Sequence, residues 1–134
     1  MKKIILLLSI STILLSGACK KNKDAHVPPD LAFKTTSGYT SADVTINQGD
    51  SILVGVVITK KEDDLRTLNI SYAYDGASSS TTHLTYSMTA AEYTGFDHDY
   101  YLVSRNQAGT EKWIFTVTDR DGNLAQKSIT LTVQ

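Results

Sequence analysis

One cysteine in 134 residues leaves this chain unable to close an internal disulfide, so its fold must rest on packing alone. Histidine is also scarce. His26, His83 and His98 are the full supply, which equips an acid–base site poorly. There is no Gly-x-Ser-x-Gly elbow and no His-Glu-x-x-His run, and Ser78 to Ser80 lie in the loop-like stretch GASSST, so nucleophilic and zinc hydrolases lack their parts. Basic residues are neither in excess nor clustered, with 13 against 14 acids, which argues against nucleic acid as a partner. No window carries a helical apolar stripe. The one long apolar run, Ile4 to Leu15, is shorter than the roughly 20 residues of a membrane-spanning helix.

What is present begins with that run. Lys2 and Lys3 precede it and Ser16, Gly17 and Ala18 follow it, the layout of a secretory leader, so residues 1–18 are expected to be removed. Leu15-Ser16-Gly17-Ala18-Cys19 resembles a bacterial lipobox, in which a peptidase cuts before the cysteine and acyl chains are attached to it. The two positions before Cys19 match the pattern; Ser16 departs from it where leucine is usual. The resemblance implies lipidation of Cys19 and a mature protein tethered to a membrane without crossing it, each buried methylene contributing about 0.8 kcal/mol. The alternative is an ordinary secretory leader with a leftover thiol.

Residues 19–30, with three lysines and the Pro28-Pro29 pair, read as a spacer reaching about 35 Å at roughly 3.3 Å per residue. The start of this segment, CKKNKD, is similar to lipoproteins of the Bacteroidota, which implies an outer-membrane location with both faces open. Asn22 and Lys23 stand where the surface-export signal of that group has acids.

Loss of Lys2 and Lys3 with the leader leaves 11 bases against 14 acids, a formal charge of -3. Residues 31–134 have the length of one domain. Turn signals at Asn47 to Asp50, Lys60 to Asp64, Asp75-Gly76, Ala90 to Glu92, Asn106 to Gly109 and Asp121 to Asn123 separate segments with period-2 alternation. Ile52, Val54, Val56 and Ile58 share one strand face, as do Leu68, Ile70, Tyr72 and Tyr74 in the next strand. Trp113, Phe115 and Val117 form a third such face and Ala125, Ile129, Leu131 and Val133 a fourth, joined through DRDGN as a hairpin. With LAFKT, DVTI, HLTYSM and DYYLVS this makes seven or eight strands. The economical arrangement is one all-β, antiparallel immunoglobulin-like sandwich.

The segment EKWIFTVTDRDGNLAQKSITLTV resembles the final hairpin of bacterial immunoglobulin-like and polycystic-kidney-disease-type domains. It departs from antibody domains in lacking paired cysteines and in placing Trp113 on the penultimate strand. The resemblance implies a module that binds or spaces.

Candidate contact residues are the tyrosines near loops or strand ends: Tyr39, Tyr86, Tyr93, Tyr100 and Tyr101. Of the adjacent pair Tyr100 and Tyr101, one must point outward if both lie in a strand. Asp119, Asp121 and Asn123 sit at the alternate spacing of calcium loops, but the same residues suit a tight turn, and the turn is the expectation. In Asp97-His98-Asp99 the histidine faces away from its neighbours on a strand, which disfavours a metal site at this expected strand entrance. No cofactor and no catalysis are expected. The expected role is a membrane-tethered binding or spacer lipoprotein of the cell envelope with a protein or glycan partner. The alternative is an envelope inhibitor that blocks a protease or a lysozyme-like enzyme with a loop such as residues 75–82.

Overall fold

Strand-forming alternation becomes eight strands in a computed structural model that describes residues 26–134; Cys19, the leader and most of the spacer lie outside the described residues. In chain order the strands are β1 (Asp30–Phe33), β2 (Val44–Ile46), β3 (Ser51–Thr59), β4 (Leu65–Tyr74), β5 (Thr81–Ser87), β6 (Gly95–Val103), β7 (Gly109–Asp119) and β8 (Leu124–Val133). A single 3-10 turn, Ala90–Glu92, precedes β6. It is held by a capping box in which the Thr89 N–H and hydroxyl both donate to Glu92 Oε2 at 2.8 Å.

The strands form two sheets, β1-β3-β6 and β2-β8-β7-β4-β5. Each sheet turns one apolar face inward. Val54, Val56 and Ile58 meet Leu68, Ile70, Phe115, Val117, Ile129 and Leu131 in a core of nearly zero exposure. Phe33 packs edge-on to Phe115 at 5.3 Å between ring centres. This is the immunoglobulin-like β-sandwich expected from the alternation.

Two details differ from that expectation. The strands are antiparallel except β2, which lies parallel to β8. The chain crosses from the first sheet to the second after Phe33, so β1 and β2 act as two halves of one leading strand shared between the sheets. The second difference is the start of β6, four residues before the DYYLVS segment. Asp97, His98 and Asp99 therefore sit inside a strand and not at its entrance, and the register Ser51↔Val103 to Thr59↔Gly95 runs unbroken through them.

Two polar plugs close the ends of the sandwich. At one end Glu111, fully buried, accepts from the Arg105 N–H (2.8 Å) and from Trp113 Nε1 (3.1 Å), while Arg105 reaches Asp75 Oδ1 at 2.7 Å. At the other end Arg120 pairs with the buried Asp63, so the KKEDD connection is only partly solvated. Every buried polar side-chain atom among the described residues has a partner.

Candidate functional site

The outer face of the three-stranded sheet gathers what the sequence left scattered. Strand alternation turns Leu53, Gly55 and Val57 of β3 and Asp97, Asp99, Tyr101 and Val103 of β6 to this side, in the register Leu53↔Tyr101, Gly55↔Asp99 and Val57↔Asp97. Three of the five exposed large hydrophobic residues lie here: Val57 at 38%, Tyr101 at 72% and Val103 at 59%. Leu124 and Val27 are the other two and lie apart from them.

Beside these apolar groups is a bonded polar cluster. Lys34 Nζ donates to Asp99 Oδ1 (2.7 Å) and pairs with Asp97, while the Tyr39 hydroxyl donates to Asp99 Oδ2 (2.7 Å). Lys34 also stands 5.2 Å from the centre of the Tyr39 ring. The hydrogen bonds to Asp97 and Asp99 raise the Lys34 pKa, and those from Lys34 and Tyr39 lower that of Asp99. Gly55 makes the cluster possible. A Cβ there would come within 2.7 Å of Tyr39 Cε1 and would strike the Lys34 stem, so a bare backbone lets both side chains cross β3.

Backbone geometry completes the site. Ser104 N–H donates to Asp50 O and Lys60 N–H to Thr94 O, which extend the β3–β6 ladder at both ends. Alternation in an antiparallel ladder then assigns the even-numbered residues of β6 to bonds with β3. The N–H and C=O groups of Gly95, Asp97, Asp99, Tyr101 and Val103 face the open edge, because β6 has no second neighbour among the described strands.

The five candidate tyrosines divide between two places. Tyr39 and Tyr101 share the outer face. The other three line the opposite side, where β5 and β6 form the sandwich margin. Tyr86 donates to Glu92 Oε1 (2.8 Å), Tyr93 accepts from Arg66 (3.0 Å), and Tyr100 is half-buried with its pKa pushed up to about 12 by burial. Tyr101 is thus the outward member of the adjacent pair. His98 lies with Phe96 and Tyr100, with ring centres at 5.7 and 4.8 Å, and away from Asp97 and Asp99.

Asp119, Asp121 and Asn123 build a turn. Asp119 Oδ1 accepts from the Asp121 and Asn123 N–H groups (3.0 and 2.8 Å), Oδ2 accepts from Asn123 Nδ2 (2.9 Å), and Arg120 Nε donates to Asp121 (2.9 Å). No three His, Cys, Asp or Glu side chains are grouped to hold a metal among the described residues, and these residues enclose no cavity. The loop considered for inhibition shrinks to a connection between Tyr74 and Thr81, with Thr81 and Thr82 in β5.

Sequence reading missed Lys34 and Gly55, whose roles depend on a cross-strand partner 44 or more residues away in the chain. Tyr72 and Tyr74, read from the sequence only as part of a strand face, lie with ring centres 4.7 Å apart and tilted, and Tyr72 lies 5.3 Å from Trp113.

No protein-family model matches the sequence, and no curated protein matches it either. Among solved structures, a chain from the human seminal-plasma complex of zinc 2-glycoprotein and prolactin-inducible protein is similar in fold. The identity is 6%, with 81% of this chain and 95% of that one covered at a TM-score of 0.50. Murine CRIg matches at 14% identity over 81% of this chain and 99% of its own, with a TM-score of 0.41. A β-glucosidase from Listeria innocua matches at 14% identity over 78% of this chain and 16% of its own, with a TM-score of 0.45. The first of these places the chain among immunoglobulin-like β-sandwiches.

Proposed function

We propose that this protein is a non-catalytic binding lipoprotein of the cell envelope, anchored by Cys19 in the outer membrane and presenting one immunoglobulin-like sandwich to a partner protein. The observation that carries this reading is the outer face of β1-β3-β6, where exposed Tyr101, Val103 and Val57 border the Lys34, Asp97, Asp99 and Tyr39 cluster. Apolar groups concentrated on one face of a small domain mark an interaction surface more than scattered ones do.

The register sets that surface relative to the start of β1. Asp30 pairs with Thr59, which pairs with Gly95, so the chain enters at one end of the sheet, while Tyr101 and Val103 lie toward the other. Eight residue steps separate Gly95 from Val103, about 26 Å at 3.3 Å per step. Val57, opposite Asp97, stands nearer the entry end, so the apolar groups run along the length of the sheet.

A pull-down from native envelope with the lipidated protein, with Cys19→Ala as the unanchored control, tests the reading. One partner recovered with the anchored form and reduced by Tyr101→Lys supports it. An empty result with both forms removes it.

A further inference from the structure

We infer that the partner is engaged by strand addition to the β6 edge, and that it supplies an extended segment with basic residues opposite Asp97 and Asp99 and apolar residues opposite Tyr101 and Val103. This rests on the binding reading above and specifies its site and chemistry.

Sheet edges carry unpaired backbone groups, and folded proteins blunt them with short strands, bulges or charge. Three of the four edges here are blunted by shape. β1 has four residues, β2 has three, and β5 has a register shift opposite Ile70 and Ser71. β6 is different: nine residues, no proline, no register shift, and the backbone groups of five residues directed outward. Its only defence is the charge of Asp97 and Asp99. Lys34, which follows β1 and crosses β3 over Gly55 on the same outer face, partly neutralises both.

The side chains beside those open backbone groups state what an added strand must carry. In an antiparallel addition, residues directly opposite pair across the strands, where opposite charges stabilise and like charges destabilise. Asp97 and Asp99 leave an acidic excess of one over Lys34, which a lysine or arginine would balance. Tyr101 and Val103 offer apolar area that a β-branched residue would cover. A second copy of this chain is a poor occupant, because β6 contains no lysine or arginine, so two β6 strands set acid against acid or against an apolar residue. Main-chain bonds would give affinity and the alternate side chains specificity, as in other strand-addition complexes.

The test uses the Cys19→Ala protein, labelled with 15N, and a synthetic peptide Val-Thr-Val-Thr-Lys-Thr-Lys-Thr, which places valines opposite Val103 and Tyr101 and lysines opposite Asp99 and Asp97. Hydrogen exchange at the amides of Asp97, Asp99, Tyr101 and Val103 is expected to slow about tenfold on binding, with those of Phe96, His98, Tyr100 and Leu102 unchanged. A peptide with both lysines replaced by glutamate, and one N-methylated at the positions facing β6, are expected to have no effect. Equal slowing by the glutamate peptide, or slowing confined to other strands, overturns the proposal, as does no slowing with the lysine peptide. In the protein, Tyr101→Pro removes an outward donor and no β3–β6 bond, and the N-methylated peptide gives the same answer should that variant fold poorly. An envelope partner still recovered with a folded Tyr101→Pro overturns strand addition alone, whereas a wild-type pull-down that recovers nothing overturns the binding reading beneath it.

Discussion

Asp99 stands directly opposite Gly55 in the β3–β6 ladder, and the room left by the missing side chain of Gly55 is where Lys34 and Tyr39 cross to reach its carboxylate. A residue with nothing to contribute by itself therefore organises three that have.

Gly55→Ala is expected to push both side chains off the sheet. The crowding should cost about 1–3 kcal/mol, read as a lower urea midpoint with an unchanged slope. An unchanged midpoint would mean that Lys34 and Tyr39 relocate without loss and that glycine is not required there.

Glu111 is the buried acceptor for Trp113 Nε1 and the Arg105 backbone. Glu111→Ala leaves two donors without a partner at the end of the core and removes a charge facing Arg105. A loss of about 3–5 kcal/mol is expected in denaturant melts, with Glu111→Gln losing less because it keeps an acceptor oxygen.

Asp75 and Asp99 are held below the usual carboxylate range, the first mainly by the hydrogen bond from Arg105 and the second mainly by that from Lys34. A carboxyl whose folded pKa is depressed contributes stability that is present above its unfolded value, about 3.9, and lost as pH falls below it. The urea midpoint is therefore expected to drop between pH 6 and pH 3. Asp75→Asn and Asp99→Asn should each shrink that drop, and an equal drop in both variants would assign acid sensitivity elsewhere.

Tyr100 has the opposite sign. Burial favours its neutral phenol and pushes the folded pKa up to about 12, against about 10 for free tyrosine. Its contribution is present below about pH 10 and lost as pH rises toward 12. The pKa values of Tyr39, Tyr74 and Tyr86 are also raised, so absorbance titration at alkaline pH should show a late tyrosinate component that Tyr100→Phe reduces and does not abolish.

Much of this architecture was legible as local pattern. The faces Ile52-Val54-Val56-Ile58 and Trp113-Phe115-Val117 lie inward as period-2 alternation requires, and the Asp-Gly signal at 121–122 does turn β7 into β8. The same alternation extended back two residues would have placed Glu111 inward as well, with Trp113 as its neighbour. The site was less legible. Exposure of Tyr101 follows from strand parity once the strand is extended back to Gly95, because Tyr101 alternates with Asp97 and Asp99 whereas Tyr100 alternates with Phe96 and Leu102. Lys34 carries no local mark of its role, because its partners come from a strand more than 60 residues on. The parallel β2–β8 pair also eludes a reading built on hairpins, since it joins segments from opposite ends of the fold.

The order β1-β3-β6 has a mechanical consequence. A pull between the N-terminus and anything held at the β6 edge enters at Asp30, passes along the β1–β3 bonds and then the β3–β6 bonds, and leaves without crossing the core. A pull that leaves toward the Val103 end runs along the strands and loads both antiparallel ladders in shear, so that many hydrogen bonds must yield together. The five-stranded sheet, with most of the buried aromatic packing, stands outside the line of force.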